Sequence, residues 1–342
     1  MPVRTLPPTG AAIAGAVCIS SSAVLMRLAS TSASITALGR CAFALPVLGA
    51  LALFERRRGA PRLSVRSRWL ARLAGVFLAG DLILWSHSIT AIGAGLGTVV
   101  TNLQVLIISL LAWLILGERP RRSLMLASPV MLAGLALVGG LAGLGGHAYG
   151  TDPSLGVGYG VGVAFLYAIY ILLLRQATSP GKQDGRPAAV AGVLFEATAG
   201  GAAGSALLGL ATHDFHLGPA WPALGWLALL ALTSQVIGWL LITVSMPRLA
   251  AAMIGALLLV QPAGSVALSY LILGERPSAL QLLGVVLVLT GVLVAVSGRG
   301  RLPSAQHQDH PPRFGRTERH VGVEVAVAGH QVEPAAQPDR GD

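Results

Sequence analysis

The residues of this sequence that could do chemistry are ionisable side chains inside long apolar segments. Arg40, Asp81 and Glu196 each stand within a run built mostly of Ala, Leu, Val and Gly. A charge in apolar surroundings is costly unless it is paired, hydrogen-bonded or neutralised. Each of the three can therefore form an ion pair or hydrogen bond that joins two helices, or contact a charged ligand. Arg40 could hold a carboxylate in its planar fork, and a buried carboxyl group could exchange a proton.

Amide and indole side chains accompany these charges at helical spacing. Trp85 lies four residues after Asp81, and Trp239 lies four residues after Gln235. Residues four apart share one face of a helix, so each pair predicts a polar group beside an aromatic wall, with packing as the alternative role of the indoles. Two further amides could line the same site or form hydrogen bonds between helices. The candidate binding residues are Arg40, Asp81, Trp85, Gln104, Glu196, Gln235, Trp239 and Gln261.

Patterns that mark catalysis or cofactor binding are missing from the sequence. No Gly-x-x-x-x-Gly-Lys-Ser/Thr loop for a nucleotide phosphate occurs. The glycines at 93, 95 and 97 lie in an apolar run rather than between a strand and a helix, so they do not predict a dinucleotide site. For His213 and His216 a solvated loop is favoured over a metal site. We expect no catalytic residue, no metal and no cofactor.

The composition defines the environment of these residues. Hydrophobic residues make up 54% of the chain and charged residues only 11%, and the mean hydropathy is +0.71. A soluble domain carries about 25% charged residues because its surface faces water. A chain this apolar needs the lipid bilayer as its solvent.

The apolar residues fall into ten segments. A helix needs about 20 predominantly apolar residues to cross a bilayer. Such segments occupy 10–28, 35–54, 71–91, 96–116 and 123–143 in the first half and 156–174, 188–210, 222–243, 249–273 and 279–297 in the second. The first is interpreted as a membrane helix rather than a cleaved signal peptide. Residues 299–342 are polar and rich in Pro, Arg, His and Gln, which predicts a disordered tail.

The positive charges predict the orientation of the spans. Arginine and lysine residues concentrate in the second, fourth and sixth connections, whereas the first, third, fifth and seventh contain none and the ninth carries only Arg276. Because connections rich in Lys and Arg stay in the cytoplasm, the even-numbered connections and both termini are predicted to be cytoplasmic. This topology accounts for the net charge of +10 without a nucleic-acid partner.

An internal repeat organises the ten spans. The run from Leu114 to Pro120 recurs without change from Leu271 to Pro277, and the same offset pairs Gln104 with Gln261. The duplication predicts two halves of five helices, and because five is odd the second half enters the membrane inverted. Glu118 and Glu275 within the repeated run are expected to lie beside the N-terminus of the next helix, where the helix dipole favours negative charge.

At these residues the chain resembles the EamA type of the drug/metabolite transporter superfamily. The resemblance covers about residues 10–298 and rests on the Gly-Glu-Arg turn that ends the fourth helix of each repeat, on Arg40 early in the second helix and on Pro262 in the ninth. In the fourth helix the place that matches Pro262 holds Val105 instead. The resemblance implies an all-α membrane protein of ten transmembrane helices, built as two inverted five-helix repeats. The repeats are expected at 1–147 and 148–298, followed by the tail at 299–342.

Together, the resemblance and the buried polar groups predict a secondary transporter. It would move a small, amino-acid-like metabolite or a drug across the inner membrane by alternating access, with export favoured over import. The expected partners are this small molecule, the lipid bilayer and, if transport is coupled, a proton. An intramembrane enzyme and a membrane scaffold without transport are the alternatives. The sequence does not define an oligomeric state.

Overall fold

The computed structural model describes residues 7–60, 62–116, 122–140, 149–178, 190–215, 221–245, 257 and 259–297, and all regular structure in these ranges is helical. The predicted tail and Glu118 lie outside the described residues. In chain order the α-helices are α1 Pro8–Ser20, α2 Ser22–Ala29, α3 Ala33–Arg57, α4 Val65–Ile92, α5 Ala94–Val100, α6 Gln104–Leu116, α7 Arg122–Val138, α8 Pro153–Thr178, α9 Val190–Ala211, α10 Ala223–Leu230, α11 Trp239–Ser245, α12 Val260–Leu273 and α13 Ala279–Ser297.

Among the described residues, seven helical stretches are long and apolar enough to cross a membrane. They are Pro8–Ala29, Ala33–Arg57, Val65–Ile92, Ala94–Leu111, Pro153–Leu174, Val190–Ala211 and Ala223–Ile242. Three shorter apolar helices accompany them, at Arg122–Val138, Val260–Leu273 and Ala279–Ala295. An all-helical membrane fold is thereby confirmed, and each predicted span overlaps one of these helices.

The first span is interrupted in its interior by a pair of serines. Ser20 Oγ donates a hydrogen bond to the Ala16 carbonyl at 2.8 Å, and Ser21 Oγ donates to the Cys18 carbonyl at 2.7 Å. Hydroxyl groups that bond to carbonyls of the preceding turn bend helices. The interruption divides the span into α1 and α2, and Ser22 begins the second piece.

The fourth span also changes its helical form, although no proline stands there. A 3-10 turn at Thr101–Leu103 joins α5 to α6. Thr101 Oγ1 and Asn102 Nδ2 both donate to the Thr98 carbonyl, at 2.8 and 3.0 Å. These side-chain donors compete with the main-chain N–H group that would bond to the Thr98 carbonyl in a regular α-helix. The turn ends immediately before Gln104.

Close helix contacts rely on glycine at the interface between α4 and α9. A Cβ atom at Gly75 would lie 2.5 Å from the Gly201 nitrogen, and one at Gly204 would lie 3.2 Å from the Val76 Cα. In lipid, helices associate through van der Waals packing, and small residues allow the backbones to approach. The interface joins the first half of the chain to the second. A similar contact joins α7 to α13, where Gly134 faces the Gly284 carbonyl.

We expect Gly75→Val to destabilise the protein by separating α4 from α9. Overpacking of a tight interface typically costs about 1–3 kcal/mol, and here the new side chain meets backbone, which has little room to shift. Gly158→Val is the matched control, because a Cβ at Gly158 meets nothing within 4 Å. The thermal unfolding midpoints of both variants in detergent provide the measurement. Equal midpoints would contradict the glycine contact.

Candidate functional site

A buried arginine on α3 lies at the junction of the two halves of the chain. Arg40 is only 5% exposed. Its Nε donates to Gln235 Oε1 at 3.0 Å, and one terminal nitrogen donates to Ser234 Oγ at 3.1 Å. Hydrogen bonds from a charged donor are about twice as strong as neutral ones. These bonds therefore hold Arg40 against the second half of the chain.

The acceptors of Arg40 are fixed in turn by further helices. Ser22 Oγ, at the start of α2, donates to Ser234 Oγ at 2.7 Å. Gln235 Nε2 donates to Thr198 Oγ1 on α9 at 3.4 Å. A polar network thus runs from α2 through Arg40 to α9, and all five side chains are buried.

Ser234 and Gln235 reach the same guanidinium because the helix between α10 and α11 is not regular. Residues Ala231–Gly238 form a π-helical segment. Single π-helical turns inside α-helices occur frequently at functional sites. Adjacent residues of an α-helix diverge by about 100°, yet here both side chains bond to Arg40. The π-helical segment was not predicted from the sequence.

Asp81 and Trp85 on α4 form the next part of this site. They are 5% and 8% exposed, respectively. Asp81 Oδ1 and Trp85 Nε1 have no hydrogen-bond partner among the described residues. The guanidinium carbon of Arg40 lies 6.0 Å from the centre of the Trp85 ring, at the limit of a cation–π contact. The site therefore holds an acceptor and a donor beside a fixed cation.

Aromatic rings from the second half of the chain enclose the site. The rings of Tyr170 and Trp239 meet edge to face with centres 6.5 Å apart, and those of Tyr167 and Tyr170 lie 5.7 Å apart. Tyr170 is 1% exposed and packs in the same apolar cluster as Trp85. We call Arg40, Asp81, Trp85, Tyr170, Ser234, Gln235 and Trp239 the central cluster.

The structure brings together five of the eight candidate residues and separates the other three. Glu196 Oε2 accepts a hydrogen bond from Arg72 Nε at 2.7 Å, and Arg72 is 45% exposed. Two alternative roles were predicted for Glu196 from the sequence, a bond between helices or a contact with a ligand. The structure shows an ion pair between α4 and α9. Gln104 and Gln261 are partly buried and form no side-chain hydrogen bond with another described residue. Their role in binding stays a prediction.

Several residues in the central cluster or in contact with it were missed by sequence reasoning. Tyr167 and Tyr170 lie three residues apart in an apolar helix, a spacing that places both on one face and could have indicated them. Ser22 and Ser234 carried no such signal, because small hydroxyl residues are common in membrane helices. Their role is seen only in the structure, where Ser22 donates to Ser234 and Ser234 accepts from Arg40.

The motif around Glu275 folds differently from its prediction. Gly274 ends α12 in the left-handed conformation, with φ 67°, as a C-terminal glycine does. The Glu275 carboxylate, however, accepts hydrogen bonds from the Ala94 and Gly95 main-chain nitrogens at 2.8 and 3.2 Å. It therefore lies at a helix N-terminus, as expected, but the helix that it caps is α5 in the other half of the chain and not the next helix.

The next helix has a cap of its own. Ser278 Oγ accepts from the Gln281 nitrogen at 3.2 Å, while Gln281 Oε1 accepts from the Ser278 nitrogen at 3.0 Å. This reciprocal pair is a capping box. Gln281 Nε2 also donates to the Val138 carbonyl at 3.2 Å, so the N-terminus of α13 is fastened to the end of α7.

Helices that could cross a membrane, arranged around a buried polar cluster between two halves, are typical of membrane transport proteins. A model of the EamA-like transporter family matches residues 9–140 and again residues 154–297. The chain belongs to the EamA-like transporter family, and the two matches confirm its two-repeat architecture.

A solved structure supports the fold. A crystal structure described only as that of a protein is 20% identical to this chain and covers 84% of it, with 96% of its own chain matched and a TM-score of 0.52. At this identity the likeness concerns the fold alone. No curated protein matches this chain.

We expect Glu275→Ala to destabilise the protein more than Glu196→Ala. The first removes two charge-assisted hydrogen bonds from a carboxylate that is 2% exposed, and hydrogen bonds to charged groups contribute about 1.5–3 kcal/mol each. The second breaks an ion pair whose arginine is half-exposed, a kind of pair that contributes about 0–1 kcal/mol. Thermal unfolding in detergent tests the order, and a larger loss for Glu196→Ala would contradict it.

Proposed function

We propose that this protein is a secondary transporter that moves a small, amino-acid-like metabolite or a drug across the inner membrane, with the central cluster as its substrate site. The observation that carries the proposal is the buried set of Arg40, Asp81 and Trp85, in which Asp81 Oδ1 and Trp85 Nε1 lack hydrogen-bond partners among the described residues. Buried polar groups in a membrane bundle normally have partners. A ligand with complementary groups would supply them.

The chemistry of the cluster favours a zwitterionic or hydrogen-bonding substrate. Arg40 uses its Nε and one terminal nitrogen for protein contacts, and the rest of its five N–H groups are available to a carboxylate. Asp81 would accept from an ammonium or other donor group. The indoles of Trp85 and Trp239 would contact the apolar part of the substrate. Gln104 and Gln261 are proposed as secondary contacts.

The location of the cluster supports transport by alternating access. Arg40 and Asp81 come from the first repeat, whereas Gln235 and Trp239 come from the second. Secondary transporters place their substrate at such an interface, near helices that are broken within the membrane. The interrupted first span and the π-helical segment meet here through the hydrogen bond between Ser22 and Ser234. Rocking of the repeats would expose the site to each side in turn.

The membrane topology belongs to the same proposal. We propose ten spans, counted from the apolar segments, with both termini in the cytoplasm because the even-numbered connections are rich in arginine. The repeats would extend over 1–147 and 148–298. Export is favoured over import, and a proton is the candidate coupling ion because Asp81 is a buried carboxyl group between the repeats.

The proposal is tested by flux in proteoliposomes. Purified protein would be assayed for uptake and efflux of amino acids and cationic dyes, with and without an imposed pH gradient. We expect Arg40→Lys to raise the KM of a carboxylate substrate by about ten- to a hundredfold, because one charged hydrogen bond contributes about 1.5–3 kcal/mol. We expect Asp81→Asn to abolish the response to the pH gradient.

Two exposed residues provide matched controls. Arg276→Lys makes the same change as Arg40→Lys, and Asp152→Asn makes the same change as Asp81→Asn, in both cases at a surface position. Asp152 accepts from the Leu155 nitrogen at 3.0 Å, which holds the pKa of its carboxyl below the usual value, and asparagine also caps helices well. Flux that responds equally to the controls and to the cluster variants would overturn the site. Flux of no compound at all would favour a scaffold or an enzyme.

A further inference from the structure

A polar cavity lies at one end of the helix bundle, apart from the central cluster. Its volume is about 430 Å³, within the range of about 300–1,000 Å³ that small-molecule sites occupy. Its inner wall includes Met26 and Ile89, which pack in the same apolar cluster as Trp85. The polar residues that line it are Arg27, Ser30, Thr31, Ser86, Thr90, Tyr149 and Glu275.

The cavity opens where the odd-numbered connections of the chain meet. Ser30 and Thr31 belong to the first connection, Tyr149 to the fifth and Glu275 to the ninth. The distribution of arginine assigns this end to the outside of the cell. An arginine is therefore unexpected at this end, and Arg27 lines the cavity rather than facing only lipid.

Arg27 is the charge in this cavity that a ligand can use. It is exposed and forms no ion pair with another described residue. The acid of the cavity, Glu275, is buried, and its two carboxylate oxygens accept from the Ala94 and Gly95 nitrogens. The positive N-terminal end of α5 compensates the charge of Glu275. The guanidinium of Arg27 is exposed and takes part in no ion pair among the described residues, so a ligand can reach it.

Tyr149 adds a hydrogen-bond donor to the same cavity. Partial burial and, secondly, the nearby Glu275 carboxylate raise the pKa of the Tyr149 hydroxyl above its usual value. The hydroxyl therefore keeps its proton at neutral pH and can donate. A guanidinium, a phenol and the hydroxyls of Ser and Thr together suit a ligand group that only accepts hydrogen bonds, such as a carboxylate.

We infer that this cavity is an external subsite in which Arg27 binds the carboxylate of a small organic molecule. Its role in transport rests on the proposed function, since the cavity would hold the substrate between the central cluster and the outside. Its preference for anions does not depend on that function. Snorkelling of Arg27 into the lipid headgroups is the alternative, and it predicts no preference for anions inside the cavity.

The preference can be measured with charged thiol reagents and no known substrate. Cys18 and Cys41 are the cysteines of the chain, and both would be replaced by serine. Thr90 is exposed and lines the cavity, so Thr90→Cys provides the reporter. Protein in detergent would react with a sulfonatoethyl and with a trimethylammonioethyl methanethiosulfonate. Each rate would be divided by the rate of the same reagent with a free thiol.

We expect the anionic reagent to be favoured by about fivefold or more, because a single charge close to the reporter attracts one reagent and repels the other. Arg27→Gln should remove the preference, and Arg27→Lys should keep most of it. Arg276→Gln is the matched control, since Arg276 lies on the same end of the bundle but does not line the cavity. An equal loss in the Arg276 variant, or no loss in Arg27→Gln, would overturn the subsite.

Flux measurements separate this inference from the proposed function. If the protein transports a carboxylate substrate, Arg27→Gln should raise the KM for substrate offered on the outer side by roughly fivefold, with a smaller change in kcat. An anion preference without any flux would support the subsite and contradict the transport proposal. Flux with no anion preference would support the transport proposal and overturn the subsite.

Discussion

The burial of one guanidinium group organises the centre of this protein. Arg40 carries five N–H donors into surroundings that are almost dry, and no single helix can supply acceptors for them. The acceptors come from the irregular helix of the second repeat, through Ser234 and Gln235. Since Ser22 bonds to Ser234, the start of α2 is joined to the same network. The interrupted first span and the π-helical segment therefore both contact the hydrogen-bond network of Arg40.

The two repeats are joined by different kinds of contact at the two ends of the helix bundle. At the end that holds the odd-numbered connections, Glu275 caps α5 and Gln281 bonds to Val138, so buried side chains satisfy main-chain groups of the opposite repeat. At the other end, Glu55 accepts from the Ala191 nitrogen, and a half-exposed ion pair joins α4 to α9. Buried capping bonds hold more strongly than exposed ion pairs. Among the described residues, the buried hydrogen bonds at the first end are therefore expected to contribute more to stability than the exposed ion pair at the other end.

The sequence was sufficient to predict the membrane class, the repeat and much of the central cluster, for identifiable physical reasons. Apolar segments of about 20 residues and intramembrane charges are local signals, and the pairing of Asp81 with Trp85 follows from helical period alone. The partner of Glu275 was mispredicted because a capping acid can serve any helix that tertiary packing brings near. The π-helical segment has no periodic signature, so the convergence of Ser234 and Gln235 on Arg40 required the structure.

The cluster also shows how stability and binding conflict at one site. A bundle selected only for stability would leave no polar atom unpaired, because an unsatisfied buried group costs about 1–3 kcal/mol. Among the described residues, Asp81 Oδ1 and Trp85 Nε1 have no hydrogen-bond partner, while Ser234 and Gln235 are both bonded to the neighbouring Arg40. The bonded groups fix the geometry, and the unpaired groups lie beside them on α4. Such an arrangement suits a binding site in which the substrate supplies the missing hydrogen-bond partners. Binding would then recover the free energy that is lost when those groups stay unpaired.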